Sequence, residues 1–330
     1  MPAPSSDAAN RGWTKTKTYE SHHFDSGAWD VVKPRDDDIV IATAYKSGTT
    51  WMQQIIAQII FNGEPPAAVG ELSPWIDLRV PPREVKAGMV EGIPGRRFLK
   101  THLPTDALDY NPNTKYVYIA RDGRDAFMSL MNHYKNGNEA WYGALNSPGL
   151  VGDPLPTWDE ITAGKQEDDA IRALFDKWLN TPWGQHPWEE DGWPFWSLFY
   201  NTKKWWEARH LPNVLFVHFS DLKKDLKGQM RRIADFLGCP VDESKFDAQV
   251  KACTFEAMKG DAAKVAPLGG ALWKGGATTF INKGTNGRWK GVLTDEQVKA
   301  YQQAAEKRLG KKCAKWLAEG GDTDGKCVIM

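Results

Sequence analysis

Residues 38–63 read DIVIATAYKSGTTWMQQIIAQIIFNG, and this stretch decides the fold. It opens with an apolar run rich in β-branched residues, 38–44, which is typical of a buried strand. It closes with apolar residues at helical spacing, 49–62, which predict a helix. The turn between them contains Lys46, Gly48 and hydroxyl side chains. The stretch therefore predicts a strand that leads directly into a helix N-terminus.

The residues of this turn favour an anion-binding site. The first N–H groups of a helix lack intrahelical partners and carry partial positive charge, so they attract anions. Gly48 lets the backbone approach a ligand closely, and Lys46 adds a full charge. Further donors are the hydroxyls of Ser47, Thr49 and Thr50. The alternative is an ordinary strand-to-helix turn with a hydroxyl cap.

The turn differs from the phosphate loop of ATPases. That loop follows the pattern G-x-x-x-x-G-K-[ST], in which lysine directly follows the second glycine. Here Lys46 precedes Gly48 by two residues, and Ala42 stands at the position of the first glycine. We therefore expect the loop to be too short to wrap a β/γ-phosphate pair, so that a phosphate bound here would be held differently.

Composition limits the classes of function. A chain of 330 residues with 41% apolar and 25% charged residues is typical of one large or two modest soluble domains. The formal net charge is zero, so we expect no nucleic-acid partner. The sequence has no run of 18 apolar residues and no apolar N-terminal segment of the secretory type. These features predict a cytoplasmic protein.

The cysteines indicate neither a metal site nor a disulfide scaffold. The four cysteines are scattered without a C-x-x-C pair, and we expect no metal. The last four residues, 327–330, fit a C-a-a-X farnesylation box. The upstream residues are not polybasic, so the second membrane signal is missing and a chance tail is the alternative. Membrane contact is expected only if Cys327 is prenylated.

Strand patterns alternate with helical patterns along the chain. This alternation predicts βαβ units and ligand binding at the carboxyl ends of parallel strands. We therefore predict a single α/β domain, 38–320, with a central, mostly parallel sheet flanked by helices, an N-terminal lead-in, 1–37, and a C-terminal tail, 321–330. The predicted strands are 38–44, 97–102, 115–121 and 213–219, and the predicted helices are 49–62, 125–136, 195–209, 222–237 and one long helix from Asp295 to about Leu317.

Two stretches break this alternation and are predicted as irregular loops. Residues 64–96 are rich in proline, and residues 137–193 contain six tryptophans. Because tryptophans require burial, we interpret both loops as aromatic walls of an acceptor pocket. Satellite clusters of packed side chains are the alternative. A later stretch, 258–290, is rich in Gly, Lys and Thr and predicts a loop that closes on an anion.

Four motifs occur in one order along the chain. They are KSGTTW (46–51), KTHLP (100–104), RDGRDAFMS (121–129) and KGTNGRWK (283–290). On these motifs the chain, from about residue 38 to about residue 300, resembles the PAPS-dependent sulfotransferases of the cytosolic type. The resemblance implies a P-loop-like phosphosulfate-binding loop, PAPS as the sulfuryl donor, PAP as the product and no metal.

The resemblance also implies a role for each matching residue. The first loop would hold the 5′-phosphosulfate, an arginine and a serine would bind the 3′-phosphate, and the late glycine loop would close over it. Two aromatic residues would stack near the adenine. The implied donor-binding residues are Lys46, Ser47, Gly48, Thr49, Thr50, Trp51, Arg121, Ser129, Phe219, Asn282, Lys283 and Gly284.

Three residues match the catalytic positions of the family. Neutral His102 would take the proton of the acceptor hydroxyl. Lys46 would neutralise the departing bridging oxygen, and Lys100 would steady the sulfuryl oxygens. Taken alone, His102 also fits a core histidine, and its place after a strand beside Lys100 favours catalysis. The other histidines, His133 among them, show no such context.

The chain departs from the family pattern at three donor-site positions. Tyr45 stands where proline is usual, Phe219 where tyrosine is usual, and Asn282 where arginine is usual. These changes affect donor affinity rather than reaction type. The family's dimer motif is broken after Lys290, so that dimer is not predicted and the oligomeric state stays open.

The sequence leaves the acceptor and two other functions open. Tryptophan-rich walls favour a small-molecule hydroxyl on an aromatic, lipid or glycolipid body over a free sugar. A P-loop nucleotide kinase is the second interpretation, which the displaced lysine disfavours. A nucleotide-binding regulator without catalysis is the third, which the retained His102 and Lys100 disfavour.

Overall fold

Four parallel strands form the sheet that carries the site. The computed structural model describes residues 12–147 and 149–323. Its strands are β1 (Ile39–Ala42), β2 (Phe98–Thr101), β3 (Lys115–Ala120) and β4 (Val214–His218). They lie in the order β2-β1-β3-β4, and β1 pairs in parallel with both neighbours. The predicted α/β fold with a central parallel sheet is confirmed.

Helices follow the strands and surround the sheet. In chain order they are α1 (Thr49–Ile60), α2 (Val69–Leu72), α3 (Arg83–Glu91), α4 (Gly123–Lys135), α5 (Glu139–Asn146), α6 (Trp158–Thr162), α7 (Glu167–Asn180), α8 (Leu198–Glu207), α9 (Phe219–Lys224), α10 (Leu226–Leu237), α11 (Glu243–Ala252), α12 (Phe255–Gly260), α13 (Ala262–Val265), α14 (Ala277–Phe280), α15 (Asp295–Leu309) and α16 (Lys311–Glu319). Short 3-10 turns cover Ser26–Trp29, Thr105–Ala107 and Pro267–Gly270.

The strands are mostly apolar because both faces of the sheet are covered. Successive side chains of a strand point to opposite faces. In β3, Tyr116 and Tyr118 belong to one core cluster, whereas Val117 and Ile119 belong to the cluster on the other face. Packing on both faces holds each strand in place, so the position at which its carboxyl end reaches the site is fixed.

Two predicted helices are each divided in two. The prediction of one helix from Asp295 to about Leu317 is wrong, because Gly310 lies between α15 and α16 with a φ of 76° that favours glycine. The segment predicted as 222–237 is α9 followed by α10. Asp225 separates them, and its carboxylate caps α10 by accepting the Gly228 N–H at 2.9 Å.

The stretch 137–193 is more regular than predicted, because it contains α5, α6 and α7. Helix α6 begins with a capping box in which Thr157 and Glu160 bond each other's backbone N–H groups. That signal is visible in the sequence, but the density of tryptophan and glycine obscured it. The stretch 64–96 likewise contains α2 and α3.

Several of the described residues before β1 pack into the domain. Tyr19 and Phe24 are buried in the larger core cluster. Trp13 contacts the rings of Tyr110 and Tyr116, each at a centroid distance of 4.8 Å.

The helices among the described residues are all too short or too polar to cross a membrane. The farnesylation box at 327–330 lies outside the described residues.

Candidate active site

A cavity of about 930 Å³ opens where the four strands end. Lys46 follows β1, His102 follows β2, Arg121 follows β3 and Phe219 follows β4, and all four residues line the cavity. Parallel strands place such residues together because their carboxyl ends meet at one edge of the sheet. The predicted site residues on this wall are Lys46, Gly48, Thr49, Thr50, Trp51, Lys100, His102, Arg121, Ser129, Phe219, Asn282, Lys283 and Gly284. Ser47 does not line it, and its hydroxyl instead donates to the carbonyl of Tyr45 at 3.2 Å.

The first loop presents an uncapped helix N-terminus. Gly48 precedes α1 with a φ of 110°, and no side chain caps the first turn. A Cβ on Gly48 would lie 2.9 Å from Ile119 Cδ1 and 3.0 Å from Phe219 Cδ2, so the turn requires glycine. Lys46 also has a positive φ of 54°. The open N–H groups of α1 and the Lys46 ammonium thus belong to the same tight turn, which suits an anion.

Two lysines, Lys46 and Lys100, bring positive charge to the cavity beside His102. Burial, together with Lys100 and Arg121, lowers the pKa of Lys46 to about 7. Burial also lowers the pKa of Lys100 to about 8, an effect that Asp77 partly opposes. The Lys100 ammonium lies 4.5 Å from the centroid of Trp75. An anionic ligand would favour the charged form of both lysines.

His102 is held in one tautomer. Its Nδ1 lies 2.8 Å from the carbonyl oxygen of Thr43. A carbonyl oxygen only accepts, so Nδ1 carries the proton and Nε2 keeps its lone pair. Burial, with Lys100 and Lys46 nearby, holds the pKa of His102 well below its usual value. The ring is therefore neutral, with a basic nitrogen available.

Asp77 fixes the backbone and the ring beside His102. Its Oδ2 accepts the His102 N–H at 3.0 Å and the Trp75 Nε1–H at 2.7 Å. The Trp75 ring meets the His102 ring edge-on at a centroid distance of 4.7 Å. This carboxylate therefore orients His102 indirectly, and the KTHLP motif alone does not predict it. The described residues contain no group of three or more His, Cys, Asp or Glu that could hold a metal ion.

The late loop is tied to the sheet edge by Arg121 and Asp125. Arg121 donates from Nη2 to the Thr285 carbonyl at 2.6 Å and from Nε to Asn286 Oδ1 at 3.2 Å. The two Asp125 oxygens accept the N–H groups of Gly287 at 2.9 Å and Arg288 at 3.0 Å. These bonds hold the late loop beside the cavity, on the side where the sequence predicts that a glycine loop closes.

Two aromatic rings lie between the first loop and β4. Trp51 and Phe219 meet edge-on at a centroid distance of 5.1 Å, and Arg121 lies 4.4 Å from the centroid of Phe219. Trp51 Nε1 donates to the Cys253 carbonyl at 2.7 Å, which fixes the indole. The pair offers aromatic surface to a flat ring.

Comparison with known proteins agrees with this geometry. A family model described as a sulfotransferase domain matches residues 36–313. The chain belongs to the sulfotransferase family. It is 28% identical over 321 residues to a glycolipid sulfotransferase of Mycobacterium bovis, which covers 93% of this chain and 95% of that protein. It is 29% identical over 285 residues to sulfotransferase 1C2 of Oryctolagus cuniculus, with coverage of 83% and 84%.

Solved structures share the fold of this sulfotransferase. Mouse sulfotransferase SULT7A1 complexed with PAP matches with a TM-score of 0.63 at 22% identity, over 88% of this chain and 93% of that chain. Retinol dehydratase in a complex with retinol and PAP matches with a TM-score of 0.61 at 22% identity, over 86% and 84%. The predicted family and fold are confirmed.

The far wall of the sulfotransferase cavity is aromatic, but not as predicted. Of the six tryptophans in 137–193, Trp141 lines the cavity, whereas Trp158, Trp178 and Trp193 are buried in the core and Trp183 and Trp188 pack against it. The interpretation of all six as pocket walls is wrong, because most of them pack in or against the core, as Trp178 does on Phe127 and Trp188 on Tyr19. The wall residues beyond His102 include Trp75, Leu78, Met89, Trp141, Phe195 and Trp196.

The structure brings His133 into the site of this sulfotransferase, which sequence reasoning missed. His133 lines the cavity, and its Nδ1 lies 3.3 Å from Lys46 Nζ. One signal was available in the sequence, because His133 is four residues after Ser129 and thus on the same face of α4. Its contact with Lys46, 87 residues away, follows only from the packing of α4 on the sheet.

Proposed function

We propose that this sulfotransferase moves a sulfuryl group from PAPS to the hydroxyl of an aromatic, lipid or glycolipid acceptor, with His102 as the general base. The main support for the role of His102 is the hydrogen bond between its Nδ1 and the carbonyl oxygen of Thr43. Because Nδ1 donates to that carbonyl, the lone pair of Nε2 is free for a hydroxyl proton. The same bond stabilises the imidazolium after the proton arrives.

The charge distribution supports an in-line transfer. When bound, PAPS supplies an activated sulfuryl group on its 5′-phosphate. Lys46 meets the negative charge that grows on the bridging oxygen, and Lys100 meets the sulfuryl oxygens. Both lysines are half-buried in the cavity wall, where a charge stabilises more strongly than in open water. The uncapped N–H groups of α1 add donors for the 5′-phosphate.

The rest of the donor fits the other half of the cavity. Arg121 and Ser129 face the 3′-phosphate in this proposal, with Lys283 and Gly284 of the late loop above it. Asn282 adds a neutral amide there. Trp51 and Phe219 receive the adenine. The solved sulfotransferase structures whose titles name PAP support this choice of nucleotide.

The acceptor half favours an apolar body that carries a hydroxyl. A volume of about 930 Å³ is near the upper end for small-molecule sites, as expected for a cavity that takes donor and acceptor together. The aromatic and aliphatic residues of the wall beyond His102 offer few hydrogen-bonding partners to the hydroxyls of a free sugar. The related glycolipid sulfotransferase supports a lipid or glycolipid acceptor.

We also propose a cytoplasmic location. The cysteines among the described residues, Cys239, Cys253 and Cys313, are unpaired, which suits a reducing compartment. Membrane contact would then require prenylation of Cys327, and labelling cells with a farnesyl analogue tests for it.

The function is tested by transfer from labelled PAPS to a panel containing a phenol, a long-chain alcohol and a glycolipid. We expect His102→Ala to lower turnover by roughly 10²–10⁴ while calorimetry shows unchanged PAP binding. His210 is exposed and outside the cavity, so His210→Ala is the matched control. Near-normal turnover in His102→Ala would remove it from the role of base.

The same preparation separates the two alternative functions. A kinase would be stabilised against heat more by ATP with magnesium than by PAP. A regulator would bind PAP and transfer nothing to any acceptor. Stabilisation by PAP together with transfer of label is the outcome that the proposal requires.

A further inference from the structure

One histidine contacts a catalytic lysine through a neutral nitrogen. His133 lies on α4, and its Nδ1 is 3.3 Å from Lys46 Nζ and 3.2 Å from Trp273 Nε1. An indole N–H only donates, so Nδ1 is the acceptor and Nε2 carries the ring proton. The Lys46 ammonium is therefore the donor in the contact with His133. The Lys46 ammonium and the Trp273 indole N–H therefore share the single lone pair of His133 Nδ1.

The surroundings keep His133 in this form. Trp273 and Trp141 pack on the imidazole at centroid distances of 5.2 and 5.6 Å. A proton on Nδ1 would break both hydrogen bonds and place a third positive charge beside Lys46 and Lys100. Burial and these two lysines lower the pKa of His133 well below its usual value.

We propose that His133 is a positioning residue that holds the Lys46 ammonium in the wall of the donor site without neutralising its charge. This inference rests on the proposed function of Lys46. A carboxylate at position 133 would also hold the lysine, but it would cancel the charge that the donor needs. A neutral acceptor fixes one end of a flexible side chain and leaves its charge available to an anion.

The Lys46 ammonium has few charged or titratable groups around it among the described residues. Its charged or titratable neighbours are Lys100 from β2, Arg121 after β3 and His133 from α4, with His102 beside Lys100. The Phe280 ring lies 4.7 Å from Lys46 Nζ and covers it from the late segment. Of these groups, His133 is the one whose neutral nitrogen accepts a hydrogen bond from the amine.

Two substitutions separate the hydrogen bond from ring packing. His133→Phe keeps an aromatic ring between the tryptophans and removes the acceptor. His133→Asn loses the ring and keeps an acceptor near the position of Nδ1. If His133 positions Lys46, kcat should fall about 10- to 100-fold in His133→Phe, and His133→Asn should restore most of it. The KM for PAPS should change less than kcat in both variants.

A second readout does not depend on turnover. The pKa of Lys46 is measured by NMR of the full chain with ¹³C-labelled lysine, and the signal is assigned by its loss in Lys46→Met. A hydrogen bond from an ammonium favours the charged form. The pKa of Lys46 should therefore be about one pH unit lower in His133→Phe than in the unmodified protein, and nearly unchanged in His133→Asn.

The outcomes separate this inference from the proposed function. If no variant and no unmodified protein transfers sulfuryl groups, the proposed function fails, and the NMR titration still decides whether His133 holds Lys46. Equal losses of kcat in both variants, or an unchanged pKa of Lys46 in His133→Phe, would show that the ring contributes packing only and would overturn the inference.

Discussion

Lys46 and Lys100 are poised between their charged and neutral forms. Their pKa values of about 7 and about 8 in the free protein mean that each loses its proton as the pH rises through that range. In the proposed function, the charged form of each lysine is the one that binds PAPS. We therefore expect kcat/KM for PAPS to fall as the pH rises through about 7–8, because this ratio reports the free protein.

The measurement that checks this is a pair of pH profiles. Bound PAPS brings negative charge, which raises both pKa values, so kcat should stay level to a higher pH than kcat/KM. Arginine remains charged at these pH values. In Lys46→Arg the limb near pH 7 should therefore disappear, even though the geometry is altered and the rate is lower. A kcat/KM that stays constant from pH 6.5 to 9 in the unmodified protein would contradict the assignment.

Asn282 leaves room for a stronger phosphate clamp. Asn282 lines the cavity where the donor is proposed to bind, and its backbone carbonyl accepts a hydrogen bond from Lys259 Nζ at 3.1 Å. An arginine there would add charge-assisted bonds of roughly 1.5–3 kcal/mol each to the 3′-phosphate. We expect Asn282→Arg to tighten PAPS and PAP alike by about tenfold, and thus to lower KM without raising kcat.

Calorimetric titration with PAP decides the matter. Asn282→Gln lengthens the side chain without adding charge and should bind PAP as the unmodified protein does. Arg288 also lines the cavity and lies close enough to Arg121 to affect its pKa. Equal or weaker binding in Asn282→Arg would mean that Arg288 already completes the clamp.

The residues that sequence could predict in the site are those carried by short motifs. Lys46, His102 and Arg121 each follow a recognisable strand, and all three line the cavity. His133 and Asp77 act on those residues through contacts between distant segments. No local pattern encodes such contacts, because they depend on how α4 and the turn after α2 pack on the sheet.

Helix α4 connects three parts of the proposed donor site along one face. Asp125, Ser129 and His133 are spaced four residues apart, so they lie on one face of the helix, and Ser129 and His133 line the cavity. Asp125 holds the late loop, Ser129 lies where the 3′-phosphate is proposed, and His133 contacts Lys46. A small shift of α4 would therefore affect both ends of the donor at once.

Asp125 should matter for donor affinity rather than for chemistry. Asp125→Ala removes the acceptor of two backbone N–H groups in the late loop. With the loop less ordered, we expect the Kd for PAP to rise about tenfold or more, with kcat at saturating PAPS changed much less. The measurement is calorimetry together with initial rates.

A control on the same helix separates loop anchoring from helix stability. Lys135 and Glu167 form an exposed ion pair at 2.7 Å, which contributes little to stability. Lys135→Ala should leave the Kd for PAP unchanged. If Asp125→Ala bound PAP as tightly as Lys135→Ala, the anchor would not be needed for nucleotide binding.

The elements that sequence predicted best are the strands. Strands β1, β3 and β4 are short, mostly apolar runs buried on both faces, a pattern that depends little on the rest of the chain. The helix boundaries were less predictable, because Gly310 and Asp225 interrupt segments whose apolar spacing continues. A glycine within a helical pattern ends the helix only if the following residues pack in another direction.

At the scale of the whole molecule, the domain buries neutral histidines that would be charged in an unfolded chain. Burial lowers the pKa of His22 to about 3 and lowers the pKa of four others below the usual value, namely His23, His102, His133 and His218. Below about pH 6.5 the unfolded chain binds protons at these positions and the folded domain does not. The free energy of unfolding should therefore fall as the pH falls, by up to about 1.4 kcal/mol per pH unit for each histidine.

Two buried acids act in the opposite direction. Burial raises the pKa of Asp191 to about 7 and also raises the pKa of Glu189. In the range between the unfolded and folded values, the folded state binds more protons at these carboxyls, so stability from them increases as the pH falls. Five histidines against two acids leave a net loss of stability between about pH 6.5 and pH 5.

A substitution at His22 measures how much one buried histidine contributes to this loss of stability at low pH. Its ring packs on Trp183 at 4.7 Å and on His23 at 4.6 Å, contacts that His22→Phe preserves in shape. Denaturant unfolding at several pH values should give a plot of unfolding free energy against pH that is shallower for His22→Phe, by about 1.4 kcal/mol per pH unit near pH 5. His210 is exposed, so His210→Gln should give the slope of the unmodified protein. Parallel plots for His22→Phe and the unmodified protein would mean that His22 titrates alike in the folded and unfolded states, and burial would then not be the source of the acid sensitivity.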